Sequence, residues 1–338
     1  MSVGELFGLQ FMQLALIAAL FTGVAAPAVG TFLVQRRLAL MGDGIGHVAV
    51  TGVAVGLVFN TSPTWTAVLV ATAGAVTIEL IRERGSTNGD VALALLFYGG
   101  LAGGILISGI GGQSASKLQQ YLFGAITALS PGDVVVTMAL AAGVLLLTVG
   151  LAPQLFAVAQ DQEFARVAGL RVRFYNLLIA VLAAVSVTVA MRTVGLLLVS
   201  ALMVVPVATA QQLTRSFRGT FVLAMGLGTL ASVGGLVIAA LASYSASVSP
   251  GPAIVITALA CYLLAWPVGV LLRRRARLRE PFAPAAGVVD EDDHEPIDEH
   301  PHQHGPRCGH LAVPHEDHVD YVHDGHRHAP HGEHYDEH

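Results

Sequence analysis

Two residues near the start of an apolar stretch have the types and spacing of a metal-binding pair. Asp43 and His47 lie four residues apart in Met41-Gly-Asp-Gly-Ile-Gly-His47, so on a helix both project from one face. A carboxylate with an imidazole suits zinc or manganese and is a poor pair for an organic substrate. Zinc takes about four ligands, so water or other helices must complete the site. The alternative is that Asp43 hydrogen-bonds His47 and only stabilises the protein.

A second set of metal-binding residue types is concentrated near the C-terminal end. Of the 14 histidines, 13 lie between His294 and His338, and His47 is the only one before them. Imidazoles interspersed with carboxylates suit Zn(II), and also Ni(II) and Cu(II); the alternative is a solvated acidic tail. The candidate ligands are closely spaced: His300, His302, His304, Cys308, His310, His315, His318, His326 and His328.

Composition divides the chain at Arg279. The 338 residues are 54% hydrophobic and 12% charged, against about 25% charged in ordinary soluble domains, which excludes a soluble globular enzyme. Residues 1–279 carry a net charge of +8 and residues 280–338 one of −13, which together make the −5 of the whole chain. The tail, residues 280–338, has few large apolar residues, so its composition predicts disorder. We therefore expect a membrane domain over 1–279 and a disordered, acidic, His-rich tail over 280–338.

Membrane-spanning helices must position Asp43 and His47. Apolar stretches of about 20 residues have the length that crosses a hydrocarbon core. The predicted fold class is all-α, a polytopic membrane helical bundle with about nine transmembrane helices. The spans are 9–34, 38–59, 64–81, 90–112, 132–151, 174–191, 194–213, 220–243 and 252–272.

Basic residues predict the direction of these spans. With the N-terminus outside, 14 of the 16 Lys and Arg residues of 1–279 fall on one side, and only Lys117 and Arg192 oppose them. The positive-inside rule makes that side cytoplasmic, so the tail is expected in the cytoplasm. Residues 113–131 are expected to form an outer loop or a partly inserted helix. Glu79, at the cytoplasmic end of the third span, is expected to pair with Arg82 or Arg84 rather than bind metal.

Nothing in the sequence predicts an ATPase of its own. Lys117, the only lysine, follows Ser116 and precedes Leu118, whereas a P-loop lysine stands between Gly and Ser or Thr. If ATP drives this protein, another chain hydrolyses it. The longest cytoplasmic connection, 160–170, reads as a short amphipathic helix that could dock into a partner's groove, or as an ordinary surface helix.

Four segments resemble one known family. They are Arg36-Arg-Leu-Ala-Leu-Met-Gly-Asp-Gly-Ile-Gly-His47, Tyr121-Leu-Phe-Gly124, the stretch 161–169 and the stretch 194–210. Together, in order across about residues 10–275, they resemble the permease subunits of ABC importers for zinc, manganese and iron. One departure is Gly46, where many relatives carry Ser, so that a hydroxyl near the metal route would be missing.

The resemblance implies a multi-pass protein of the prokaryotic plasma membrane, surrounded by lipid. Its implied partners are a second copy, a cytoplasmic ABC ATPase and an extracytoplasmic metal-binding protein; nucleic acid, covalent cofactors and enzymatic activity of its own are not expected. Asp43 and His47 would line the metal route. The helix that couples to the ATPase would be formed by Asp161, Glu163, Phe164, Ala165 and Gly169.

The transported metal is expected to be zinc, because the tail is rich in imidazole and manganese prefers oxygen ligands. Manganese and iron remain alternatives. A different class of function is an ATP-independent secondary transporter or channel for divalent metal. Against it, such carriers need a dense set of ligands within the membrane, and the membrane domain offers one Asp–His pair.

Overall fold

The protein divides into two compact units, Met1–Arg274 and Arg275–His338. The computed structural model describes residues 7–83, 89–112, 121–122, 124, 130–191, 195–244, 248–279, 295–297, 308–315, 318–323, 326–331 and 334–337. Lys117 and most of the predicted outer segment 113–131 lie outside the described residues.

The first unit is helical, and its last helix continues into the second. Eight helices are long and apolar enough to cross a membrane in the part of the chain that the structure describes: α1, α2, α3, α4, α5, α8, α10 and α11. The helices are α1 (Gln10–Gln35), α2 (Met41–Val58), α3 (Pro63–Glu83), α4 (Gly89–Ile110), α5 (Pro131–Gly150), α6 (Ala152–Gln160), α7 (Gln162–Val167), α8 (Val172–Met191), α9 (Leu196–Leu213), α10 (Phe217–Ala242) and α11 (Pro250–Arg279).

Each of the nine predicted spans coincides with one of these helices. The predicted span 194–213 corresponds to α9, whose apolar section Val199–Leu213 is shorter than the other eight. The largest difference in bounds is at α11, which continues to Arg279 rather than ending at 272. Its last turns carry arginines, whose long side chains suit the headgroup region. The all-α, polytopic fold class is confirmed for the membrane domain.

Helix α2 packs tightly between its neighbours. Its small residues face backbone on α3, where a Cβ added at Gly52 would lie 2.6 Å from the Cα of Ala67. In lipid the hydrophobic effect does not draw helices together, so such close backbone contacts supply the packing. Glycine therefore allows α2 and α3 to approach each other closely.

A tight turn leads from α1 into α2. Arg37 adopts a left-handed backbone conformation with φ of 59°, and the Leu38 amide donates to the Leu33 carbonyl at 2.8 Å. The turn places Asp43 in the first turn of α2, where the helix dipole favours a negative charge.

Beside this turn lies a buried ion-pair cluster. The Glu79 carboxylate on α3 is 0% exposed and lies 2.6 Å from the Arg82 guanidinium and 3.3 Å from that of Arg36. The expected pairing with Arg82 is confirmed. Arg36, which the sequence interpretation missed, ties the end of α1 to α3.

The second unit contains a β-sheet where the sequence predicts disorder. Five antiparallel strands, in the order β1-β5-β4-β3-β2, are β1 (Glu295–Ile297), β2 (Leu311–His315), β3 (His318–His323), β4 (His326–His331) and β5 (His334–Glu337). The prediction of disorder is wrong for these segments. Two residues separate each pair of neighbours from β2 to β5, among them Asp324-Gly325, which favours a hairpin, and a composition averaged over the tail hides this local pattern.

Candidate functional site

Helix α2 carries the predicted pair, and it holds His47 in the interior. The His47 residue is 4% exposed, and its ring meets the edge of the Phe97 ring on α4 with centroids 4.0 Å apart. Its Nδ1 atom is buried and has no hydrogen-bond partner among the described residues. A buried polar atom without a partner carries a desolvation cost, so this nitrogen is available to a ligand.

Asp43 lies one turn away and borders an open cleft between α2 and α4. The cleft has a volume of about 280 Å³, and Leu93, Phe97 and Tyr98 of α4 form its other wall. Asp43 and His47 lie four residues apart on α2, so the structure places them on one face of the helix. The carboxylate faces the opening, while the imidazole lies behind Phe97.

The alternative role, a hydrogen bond between Asp43 and His47, does not occur: no such bond joins these side chains, and the Nδ1 atom remains unpartnered. The pair also lacks further protein ligands, because no group of three His, Cys, Asp or Glu side chains is close enough to share a metal within the described residues. A metal here would take its remaining ligands from water or from another chain.

One glycine of α4 sets how closely that helix approaches the site. A Cβ added at Gly100 of α4 would lie 2.6 Å from the Val48 nitrogen and 2.7 Å from the His47 carbonyl carbon. The Thr51 hydroxyl donates to the Gly100 carbonyl at 2.6 Å. Sequence reasoning missed Phe97 and Gly100 as parts of the site; the Gly99–Gly100 pair was the available signal, and it also fits ordinary helix packing.

Gly46 faces the opposite side of α2. A Cβ there would lie 2.5 Å from the Leu196 Cδ1 of α9 and 3.5 Å from the Val187 Cγ1 of α8. A serine at this position would therefore extend toward α8 and α9, away from the cleft that Asp43 borders. The absent hydroxyl does not remove a group from the α2–α4 cleft.

The predicted docking helix is α7, and three of its five candidate residues hold its shape. The Asp161 carboxylate accepts hydrogen bonds from the amides of Glu163 and Phe164 at 2.9 and 3.0 Å. Ala165 is fully buried in a small cluster with Val158 and Val172. At the end of α7, Gly169 has φ of +82°, a conformation that suits glycine.

The other two candidates lie at the surface. The Glu163 carboxylate forms an ion pair with Arg166 at 2.7 Å. Phe164 is 65% exposed, and Val167, which the sequence interpretation did not single out, is 89% exposed. Residues three apart share a helix face, so α7 presents a small apolar surface beside an ion pair.

Contacts fasten α6, the helix before α7, to α1. Gln160, at the end of α6, shares a side-chain hydrogen bond with Gln35 of α1. The Phe156 ring of α6 lies 4.3 Å from that of Phe217, which in turn lies 5.6 Å from that of Phe32 on α1. Because α6 leads into α7 and α1 leads into α2, these contacts join the segment before the predicted docking helix to the segment before Asp43.

The tail candidates divide into three groups. His300, His302 and His304 lie outside the described residues. Cys308 and His310 precede β2 and are partly buried. The rest lie on strands, where the register sets His315 opposite His318 and Tyr321 opposite His328 and places His326 opposite His323.

Comparisons with known proteins cover most of the membrane unit. Residues 8–269 match the ABC 3 transport family. A Streptococcus parasanguinis protein named manganese import system permease protein ScaB is 32% identical over 262 residues, 77% of this chain and 92% of that protein. A Listeria monocytogenes protein named manganese transport system membrane protein MntC is 28% identical, over 76% of this chain and 90% of its own length.

A solved structure has the same architecture. It is PsaBC from Streptococcus pneumoniae in complex with Fab, with a TM-score of 0.70 and 32% identity over 78% of this chain and 95% of the other. The predicted family and the multi-pass membrane location are confirmed. The chain belongs to the ABC 3 transport family, as a multi-pass plasma-membrane permease subunit of a metal importer.

Proposed function

We propose that this permease carries zinc into the cytoplasm and that Asp43 and His47 are transient ligands on its route. The observation that carries the proposal is the buried Nδ1 of His47, which has no hydrogen-bond partner among the described residues, one helical turn from a carboxylate that borders a cleft. Ionisable groups inside a membrane are costly and mark pathways. This pair has the chemistry of a metal ligand set.

Two protein ligands are suited to transport rather than storage. Structural zinc sites use four protein ligands and hold the ion permanently. With two, the ion keeps water and leaves readily. The ion loses part of its hydration in these apolar surroundings, which is costly, and the Asp43 carboxylate and the His47 nitrogen offset part of that cost.

Conformational switching is assigned to α7 and to partners. We infer that a separate ABC ATPase docks on Phe164 and Val167, hydrolyses ATP and moves α7. The contacts from Phe156 and Gln160 to α1 pass this motion to α2, which changes the side open to the metal in the alternating-access sense. An extracytoplasmic metal-binding protein delivers the ion, and a second permease copy completes the route; the arginine distribution supports a cytoplasmic tail.

Different features favour zinc and manganese as the cargo. The names of the relatives favour manganese, which is the second candidate cargo. The 13 histidines after residue 279 favour zinc, because imidazole suits zinc and manganese prefers oxygen ligands. Histidine in the route itself serves both metals.

Reconstitution with the ATPase partner tests the proposal. Zinc, manganese and iron are supplied separately with the extracytoplasmic binding protein, and both ATP hydrolysis and uptake into vesicles are measured. We expect zinc to stimulate both at least tenfold more than manganese. Manganese-selective stimulation would replace zinc by the second candidate, and uptake that continues without ATP would instead indicate a secondary transporter.

A further inference from the structure

A basic cleft lies where α3 ends and α8 begins. It has a volume of about 640 Å³, and its walls come from the end of α3, from α7 and from the start of α8. Asp43 and His47 do not line it. We call it the arginine cleft, because four arginines and one carboxylate line it: Arg82, Arg166, Arg171, Arg173 and Glu83.

The arginine cleft keeps an excess of positive charge. Arg171 is exposed and forms no ion pair within the described part of the chain. Its guanidinium is therefore available to an anion, and guanidinium groups bind phosphate through two parallel hydrogen bonds. The other three arginines have carboxylate partners: Arg82 with Glu79 at 2.6 Å, Arg166 with Glu163 at 2.7 Å and Arg173 with Glu83 at 3.0 Å.

A buried amide lines the same cleft. Asn176 of α8 is 3% exposed, and its Oδ1 atom is buried without a hydrogen-bond partner among the described residues. Burial of an unpaired acceptor is costly, so this oxygen is available to a donor on a ligand. A ligand that carries both an anionic phosphate and a hydroxyl would match the arginine cleft.

The level of the arginine cleft in the membrane favours a lipid as that ligand. Helix α3 has 21 residues and α8 has 20, so each is about 30 Å long, which is the thickness of the hydrocarbon core. The ends of both helices therefore lie near the lipid headgroups. Basic pockets between transmembrane helices suit anionic headgroups, and Phe174, which is 56% exposed in the first turn of α8, offers an apolar surface to acyl chains.

We propose that the arginine cleft binds the headgroup of an anionic phospholipid such as phosphatidylglycerol. The phosphate accepts hydrogen bonds from the Arg171 guanidinium, and a glycerol hydroxyl donates to the Asn176 Oδ1. A lipid bound there contacts α3, α7 and α8 at once. This binding depends neither on the transported metal nor on the assignment of the metal route.

The test counts lipids on the full-length permease by native mass spectrometry in detergent, during titration with phosphatidylglycerol or with zwitterionic phosphatidylcholine. We expect one phosphatidylglycerol to bind at least tenfold more tightly than phosphatidylcholine. Arg171→Gln removes the arginine that has no ion pair and should weaken this binding at least fivefold. Arg218→Gln is the matched control, since Arg218 is an exposed arginine in the first turn of α10 and does not line the cleft; its affinity should stay within twofold of the parent.

A second comparison tests the role of Asn176. Phosphatidylethanol has the same anionic phosphodiester as phosphatidylglycerol but no headgroup hydroxyl, so the parent should bind it at least threefold more weakly. Asn176→Leu should bind the two lipids equally, with unfolding of the variant in detergent measured as a check that it folds. Equal affinity of the parent for both lipids would refute the hydrogen bond to Asn176.

Three results would overturn the lipid site itself. The first is unchanged phosphatidylglycerol affinity in Arg171→Gln; if that variant instead loses affinity for the ATPase partner, the arginine cleft belongs to a protein interface. The second is equal weakening by Arg171→Gln and Arg218→Gln, because binding would then follow surface charge alone. The third is displacement of the lipid by an equal concentration of glycerol phosphate, which would indicate a site for a soluble anion. Asp43 and His47 are intact in every variant and metal is absent, so the transport proposal is tested separately.

Discussion

Two buried ionisable sites in the membrane unit differ in what surrounds them. Glu79 is 0% exposed and has two guanidinium partners, Arg36 and Arg82. His47 is 4% exposed, yet its Nδ1 has no hydrogen-bond partner in the described part of the chain, and an aromatic edge covers its ring. At Glu79 the protein itself offsets the cost of burial, whereas at His47 that cost is left for a ligand to offset. The first arrangement favours stability, and the second is what the proposed metal-binding role of His47 requires.

The same contrast separates two aspartates in first helical turns. Asp133 of α5 completes a capping box with Ser130, whose amide and hydroxyl both donate to its carboxylate, at 3.2 and 2.6 Å. Asp43 of α2 has no such capping role, since the residue before α2 is Leu40 and makes no side-chain cap. Asp133 is therefore a matched control for Asp43.

The largest expected effect is on metal uptake, at Asp43 and His47. His47→Ala or Asp43→Ala should lower metal uptake by a factor of about 100 or more, because a metal that loses one of two protein ligands must pass with less compensation for its dehydration. Uptake of radioactive zinc into vesicles measures this directly. The variants should still insert in the membrane and bind the ATPase partner.

Asp133→Ala is the control for that experiment. Loss of the helix cap costs about 1 kcal/mol, and uptake per folded molecule should remain near that of the parent. Near-normal uptake in either the Asp43 or the His47 variant would refute the route. A loss in the Asp133 variant as large as in the Asp43 variant would attribute both to folding.

Substitution of Glu79 should lower the stability of the protein rather than metal uptake. Glu79→Gln leaves the Arg36 and Arg82 charges without their counter-ion, and breaking a buried pair from one side costs about 3–5 kcal/mol. The free energy of unfolding in detergent should fall by that amount. Uptake per folded molecule should change much less than in the His47 variant.

Glu83→Gln provides the comparison for Glu79. Glu83 pairs with Arg173 at 3.0 Å nearer the surface, where an ion pair contributes about 0–1 kcal/mol. Equal destabilisation by the two substitutions would show that burial does not distinguish them. Complete loss of uptake in a stable Glu79 variant would place Glu79 in the route.

Helix α7 repeats the contrast on the surface. Glu163 forms an ion pair with Arg166, while Phe164 beside it is exposed to solvent. Phe164→Ala should weaken binding of the ATPase partner at least 30-fold, equivalent to about 2 kcal/mol for an aromatic anchor, with little change in the stability of the permease. The affinity of the purified subunits for each other, measured in detergent, checks this.

Phe59→Ala is the control for Phe164, since Phe59 is 72% exposed and lies at the opposite end of α2 from Asp43. It should leave the ATPase affinity unchanged. If Phe164→Ala also has no effect on that affinity, the docking role of α7 is wrong.

The sequence was sufficient for features that depend on local pattern. Nine apolar stretches predicted the helices, the spacing of Asp43 and His47 predicted a shared face, and Arg82 was predicted for Glu79 because it lies three residues away. Three residues were missed because their partners lie on a different part of the chain: Arg36 pairs with Glu79, Phe97 contacts His47 and Gly100 packs against Val48. A local sequence pattern does not predict which helices surround α2. In the tail, an average composition concealed the two-residue connections that favour hairpins between neighbouring strands.

The smallest effect concerns the wall that covers His47. Gly100→Ala introduces a Cβ 2.6 Å from the Val48 nitrogen, so α4 must move away from α2 at a cost of about 1–3 kcal/mol. Phe97 would move with it, and the cover over His47 would loosen, so uptake should fall a few-fold. Gly99→Ala is the neighbouring control, because a Cβ there meets nothing within 4 Å. If the two variants have the same metal uptake and the same free energy of unfolding, close contact between α2 and α4 does not shape the site. The proposed role of α4 in covering the His47 ring would then be wrong.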